Sequence, residues 1–260
     1  MFEQTQTQTS PQIKPRNNAL IIPRQHLRLI IFLAIVFIVL LAGIIYLNSY
    51  YRAANSVAID LKSDRQVLVT TEKDYIYFDG PSQKNALIFY PGTHVEYIAY
   101  APLMRKLAQN DIDCYLVKMP LNLAFLGKNK ADKIRHSETN YQNWYIGGHS
   151  HGGNVAADFL SSHSEDYAGL ILLGAYSTKP ISSNQTIVQI YGSEDKILNR
   201  AQLENHSANL PGAIVEEIPG ANHAQFGNYG IQKGDGESTI NTAAQQVKTV
   251  DIIESALLAH

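Results

Sequence analysis

Hydrophobic and polar positions follow two quite different rules along this chain. From Leu29 to Leu47 there is no alternation: LIIFLAIVFIVLLAGIIYL carries no charge. As a helix rising about 1.5 Å per residue it is roughly 28 Å long, close to the hydrocarbon thickness of a bilayer. A helix that is apolar on every side has no face for water, so the run predicts a membrane-spanning helix over 29–47 rather than a core helix. Its charged leader, long apolar stretch and lack of a small-x-small cleavage site before NSYYR favour an uncleaved anchor over a signal peptide. Lys14, Arg16, Arg24 and Arg28 precede the run, whereas Arg52, Lys62 and Arg65 follow it at greater distance. That bias puts the amino terminus in the cytoplasm and the main domain on the extracytoplasmic side of the cell membrane, with Tyr46, Tyr50 and Tyr51 suited to the far interface.

After residue 65 the pattern changes to short β-rich runs interleaved with helical spacing. QVLVTT, YIYFDG, ALIFYPG, DCYLVKMP, WYIGG, GLILLGA, TIVQIYG and AIVEEIPG read as strands. AYAPLMRKLAQN, GNVAADFLSS and RAQLENHSANL read as helices, and a last helix is expected from Ser238 to Leu258, with Ile240, Ala243, Ala244, Val247, Val250, Ile253 and Leu257 as its apolar stripe. Several strands are apolar almost throughout, which predicts an α/β fold with a mostly parallel sheet covered by helices on both faces. The expected organisation is a disordered cytoplasmic tail over 1–28, rich in Gln, Thr and Asn at its start, the spanning helix over 29–47, a juxtamembrane linker over 48–65 and the folded domain over 66–260.

Composition removes some function classes. A net charge of −2 and the lack of basic runs interleaved with aromatics give no case for nucleic acid. Cys114 is the only cysteine, so no internal disulfide forms, and its apolar setting predicts a small buried hydrophobe.

The chemistry gathers at YIGGHSHGGN, residues 145–154. NWYI reads as the end of a strand and GNVAADFL as the start of a helix, with GxSxG, Gly148 to Gly152, between them. That is the setting of a nucleophile elbow, a turn so sharp that it lifts the Ser150 hydroxyl out of the sheet beside a helix amino terminus. Glycines flank such a turn because a Cβ there would meet a neighbouring element. The partners of a serine nucleophile in this setting follow in the order acid, then histidine. SEDKIL after TIVQIYG offers Asp195, with Glu194 beside it, and ANHAQFGNYG after AIVEEIPG offers His223. His163, His206 and His260 compete for the base, but they lie in or at the ends of helical patterns or at the terminus. His149 and His151, with His94 or His223, invite a metal reading. Residues on either side of an elbow serine point apart, however, and no Cys, Asp or Glu completes a zinc spacing. GNYGIQKGDGES reads as a polar surface loop or pocket rim, and VKMPLNLAFLG as an apolar loop that either lines a pocket or packs inside.

YPGTHVE, GGHSHGG, GSEDKIL and PGANHAQFG together resemble the α/β-hydrolase family over residues 85–260, particularly its compact, cap-less members similar to dienelactone hydrolases. Those enzymes use a cysteine where this chain has Ser150, and the HGGG pattern of many lipases is absent. The resemblance implies a serine hydrolase, esterase-like and needing no cofactor or metal. Ser150 attacks an acyl carbonyl, His223 moves the proton, Asp195 orients the imidazole, and the backbone N–H groups of His151 and Thr93 hold the oxyanion. The spacings Ser150 to Asp195 and Asp195 to His223 leave no room for a large lid domain, so a small or surface-presented ester is the expected substrate. A peptidase or thioesterase would use the same triad, and a noncatalytic binding protein would share the fold.

Overall fold

A computed structural model describes residues 23–137 and 141–258. The tail expected at the start of the chain lies outside the described residues up to residue 22, and so does His260.

Helix α1, Arg24–Asn48, begins before the apolar run and is long and apolar enough to cross a membrane. None of its residues is buried by protein. It is counted to Ile45 as one compact unit, and residues 46–260 form the other.

In the second unit the strands are β1 (Leu68–Thr71), β2 (Tyr75–Asp79), β3 (Asn85–Tyr90), β4 (Ile112–Val117), β5 (Asn143–His149), β6 (Gly169–Leu173), β7 (Thr186–Gly192) and β8 (Ile214–Ile218). Among the described residues the helices are α2 (Ala101–Gln109), α3 (Lys130–Ser137), α4 (His151–Leu160), α5 (Arg200–Asn205) and α6 (Thr242–Leu258). The strands make one sheet in the order β1-β2-β4-β3-β5-β6-β7-β8. β2 runs antiparallel to β1 and β4, and the pairs from β4 through β8 are parallel.

Alternation along β3 shows why its sequence is apolar throughout. Leu87 and Phe89 enter the core packed by α2 and α6, while Ala86, Ile88 and Tyr90 enter the core on the face of α4. Each fully buried Leu or Phe stabilises the fold by about 1.5–3 kcal/mol. The edge strand β8 differs, with Val215, Glu216 and Glu217 exposed, which blunts pairing with another chain.

The last helix departs from the expected stripe. It starts at Thr242, Val247 is exposed, and Gln245, Gln246 and Thr249 are buried beside Val250 and Ile253. The buried glutamines have polar work. Gln245 clamps the Asn222 backbone, with its Oε1 accepting from the N–H at 3.1 Å and its Nε2 donating to the carbonyl at 2.8 Å. Gln246 donates to the Asn228 side chain at 2.6 Å.

The chain reaches the centre of the sheet at β3, moves outward to β4, then returns to the other side of β3 at β5. This reversal opens a crevice beyond the carboxyl ends of β3 and β5, the place where open α/β sheets bind ligands.

Candidate active site

Ser150 stands in that crevice, between the end of β5 and the first residue of α4. Its backbone has φ 54° and ψ −132°, a conformation that costs a non-glycine residue about 1–3 kcal/mol and persists only where its surroundings enforce it. They do so here: the Ser150 N–H donates to the Leu173 carbonyl at 2.9 Å, and its carbonyl accepts from Asn154 at 3.2 Å. Gly152 is required by close approach, since a Cβ would lie 2.2 Å from the Pro91 carbonyl oxygen and 2.4 Å from that of Tyr90. The loop after β3 therefore lies directly against the elbow.

Asp195 and His223 arrive from the loops after β7 and β8. His223 Nδ1 and Asp195 Oδ2 are 2.7 Å apart, with both side chains buried. The other carboxylate oxygen of Asp195 accepts the N–H groups of Ile197 at 3.0 Å and Leu198 at 2.8 Å. Three donors thus fix the carboxylate, and the proton on His223 Nδ1 leaves Nε2 with a free lone pair. Nε2 is buried and has no hydrogen-bond partner among the described residues, Ser150 Oγ included. Both residues line one cavity of about 160 Å³, with Asn154, Gly174, Tyr176, Ile197, Leu198 and Asn199. Glu194, the sequence neighbour of Asp195, instead accepts a hydrogen bond from Ser193 Oγ at 3.0 Å.

Thr93 and His151 meet beside the serine, with Thr93 Oγ1 2.8 Å from His151 Nδ1. The His151 N–H opens helix α4, where first-turn N–H groups have no partner inside the helix. The Thr93 N–H has no acceptor among the described residues.

The remaining histidines occupy separate positions. His149 is buried beneath the elbow, its ring centroid 4.3 Å from that of His223. Gly92 N–H donates to Tyr100 Oη at 3.1 Å, and the Tyr100 hydroxyl is hydrogen-bonded to His149 Nδ1 at 2.8 Å. Burial holds the His149 imidazole well below its ordinary pKa, and the neighbouring His223 lowers it further. His149 is therefore neutral and adds no charge opposing an imidazolium at His223. His163 stacks on Phe159 and His206 on Tyr176.

Three residues that sequence reasoning missed frame the pair. Gly174, at the end of β6 with φ +52°, sits so close that a Cβ would lie 2.9 Å from His223 Nδ1 and 3.1 Å from Asp195 Oδ2. Asp235, inside the polar loop GNYGIQKGDGES, accepts the Ala224 N–H at 2.8 Å and the Lys196 N–H at 3.3 Å, tying the loop of the base to that of the acid. Tyr100 links the loop after β3 to the elbow through the bonds just described. For Asp235 the DG pair after the candidate base was the available signal, marking a turn. Nothing local marks Gly174 or Tyr100.

Comparison with known proteins gives the same architecture. The sequence model of the Alpha/beta hydrolase family matches residues 86–247. Among curated proteins none matches the sequence. The fold is similar to the predicted CIB-like hydrolase of Thermoplasma acidophilum, at 13% identity and TM-score 0.53, covering 73% of this chain and 98% of that one. It is similar to the dienelactone hydrolase of Anabaena variabilis at 13% identity and TM-score 0.52, covering 73% of this chain and 96% of that one. The esterase of Pyrobaculum calidifontis shares it at 12% identity and TM-score 0.52, covering 77% of this chain and 89% of that one.

Proposed function

The chain belongs to the alpha/beta hydrolase family, and on that premise we propose that it is a membrane-anchored serine hydrolase that cleaves a carboxylic ester or related acyl compound. Ser150 Oγ attacks the carbonyl carbon while His223 Nε2 takes the hydroxyl proton, and Asp195 holds the ring and stabilises the imidazolium. The carbonyl oxygen, now negative, is held by the N–H groups of His151 and Thr93 at the amino end of α4. Return of the proton to the leaving oxygen releases the alcohol and leaves an acyl-serine. Water, deprotonated by His223, then attacks the acyl-serine, and return of that proton from His223 to Ser150 Oγ releases the acid and restores the free serine.

One observation carries this reading: an imidazole bonded to a buried carboxylate through one nitrogen, with its other nitrogen unpartnered among the described residues, lines the same cavity as Ser150. The absence of a direct Ser150–His223 bond is compatible with it, because catalytic hydrogen bonds in empty sites often tighten only with substrate bound. The apolar helix supplies the anchor, and the basic residues before it orient the domain outward.

A fluorophosphonate probe tests the nucleophile. The full chain should label at Ser150 and hydrolyse a short nitrophenyl ester. Ser150→Ala should lose the label and lower turnover by a factor on the order of 10⁶. Equal labelling of the two proteins sinks the assignment.

A further inference from the structure

The chain segment that follows α1 is laced to the loops framing the candidate site. Tyr51 N–H donates to the His94 carbonyl and Glu96 N–H to the Tyr51 carbonyl, each at 2.8 Å. Ala53 N–H reaches the Glu96 carboxylate at 2.9 Å, Ala54 N–H the Asn228 carbonyl at 2.7 Å, and Lys233 N–H the Tyr51 hydroxyl at 3.0 Å. His94 adjoins Thr93, and Asn228 and Lys233 belong to the loop that follows His223. By sequence, Tyr51 comes three residues after Asn48, the last residue of α1, and three extended residues reach at most about 11 Å. Connectivity alone therefore keeps this rim within that reach of the end of α1.

The same rim carries large apolar side chains in the open. Ile231 is 93% exposed, Leu121 57%, Phe125 55% and Leu126 48%. The loop of Leu121, Phe125 and Leu126 adjoins the site through His94, whose N–H donates to the Asn122 carbonyl at 2.8 Å, and through Phe125, whose ring centroid is 6.4 Å from that of His151, while Ile231 belongs to the loop that follows His223. Leu121 and Asn122 have φ 54° and 55°, so the backbone is strained in a loop that presents a leucine to its surroundings. Water rewards neither feature. Exposed Arg52 and Lys233 flank the segment with positive charge, which suits anionic headgroups.

We propose that this rim is a bilayer-contacting surface, with Leu121, Phe125, Leu126 and Ile231 seated among headgroups and upper acyl chains, and that the site takes its acyl substrate from the membrane as an amphiphile. The substrate half rests on the hydrolase reading above. The contact half rests only on the anchor and the lacing.

Depth quenching tests the contact on the full chain in nanodiscs that hold one copy each. Cys114 is buried, so an introduced cysteine takes a thiol-reactive nitrobenzoxadiazole label. Labels at Phe125→Cys and Ile231→Cys should be quenched at least about twofold by doxyl-labelled phospholipid, as expected for side chains in the acyl boundary. A label at Ser183→Cys, ahead of β7 on the opposite edge of the sheet, should not. Rim labels no more quenched than Ser183→Cys overturn the proposal, and so does quenching that appears only in discs loaded with two copies. This readout needs no turnover, so an inactive Ser150 would overturn the hydrolase reading and leave the contact decided. For the substrate, the ratio of the rate on a long-chain nitrophenyl ester embedded in discs to that on the soluble acetate should fall about tenfold in the double variant Leu121→Asp, Ile231→Asp. An unaltered ratio rejects the membrane-drawn substrate.

Discussion

Asp195, beyond the carboxyl end of β7, and Asp113, near the amino end of β4, are both buried and each accepts three hydrogen bonds. Asp195 takes two backbone N–H groups and the His223 ring. Asp113 takes the Gly80 N–H at 2.7 Å and the hydroxyls of Tyr141 at 2.6 Å and Tyr77 at 3.1 Å. The two tyrosine hydroxyls also lie within hydrogen-bond distance of each other, and Tyr77 Oη lies 3.2 Å from Asp79 Oδ1, so their two protons are shared among protein acceptors and the network around Asp113 closes within the protein. The network around Asp195 stays open, because His223 Nε2 has no hydrogen-bond partner among the described residues and the residue lines a cavity that Ser150 also lines. Volume does not separate the two ends of the sheet in the same way. A cavity of about 420 Å³ at the amino edge, lined by Lys84, Asn143, Ser183 and Gly212 among others, is larger than the one of about 160 Å³ at Ser150. What marks the candidate site is a polar chain with one unfilled position.

The comparison breaks if the two carboxylates respond alike to amide substitution. Asp195→Asn should lower kcat on a short ester by about 10⁴, because the amide no longer selects the Nδ1-protonated ring. Asp113→Asn should leave kcat within about twofold, since it lies outside the reacting chain. Complete removal of the closed network reverses the ranking for stability. Asp113→Ala orphans three donors, each costing about 1–3 kcal/mol, with the tyrosines able to recover part through each other. A net loss of roughly 3 kcal/mol is expected, read as a melting point lower by about 6–12 °C, with little change in kcat of the folded protein.

Gly174→Ala sharpens the comparison at smaller cost. The added methyl has no space between His223 Nδ1 and Asp195 Oδ2, and alanine is disfavoured at φ +52°. Displacing the ring by a fraction of an ångström to an ångström should reduce kcat about 100-fold while the protein still melts cooperatively. Activity within threefold of the parent would mean that the close packing around this pair is not needed for turnover.

How much of this was readable in the chain depends on the range of the interaction concerned. The strand and helix around Ser150 are local patterns, although β5 runs past NWYI to His149 and α4 begins ahead of GNVAADFL, at His151. The order of Asp195 and His223 after later strands is likewise a one-dimensional signal. Gly174 is different: its constraint comes from two side chains that reach it from other loops, and no neighbour in sequence reports them. The phase of α6 misleads for a related reason. Hydropathy assigns Val247 to the core and Gln245 to water, but Gln245 is buried because the Asn222 backbone offers it both a donor and an acceptor. VKMPLNLAFLG splits, with Met119 and Ala124 inside and Leu121 and Phe125 outside, a division that depends on left-handed residues the composition does not announce.

The smallest expected effect is a slope with pH, and it comes from Asp113. Burial pushes its carboxyl up to about 6, the hydroxyls of Tyr141 and Tyr77 and the Gly80 N–H opposing the rise only in part, while Asp79 adds to it. Because the folded value lies above the ordinary 3.8, the native state holds a proton that the unfolded chain has already released between these values. Stability from this group is then fully present below about pH 4 and declines as pH rises to about 6, beyond which it is flat. Other groups titrate in the same window, so the measurement is a difference. The melting temperature of the parent minus that of Asp113→Asn should fall across pH 4–6 and stay level from pH 7 to 8, where the amide, which does not titrate, supplies the baseline. A difference that is constant across the acid range would mean that Asp113 stays ionised in the fold. Its hydroxyl donors would then outweigh its burial.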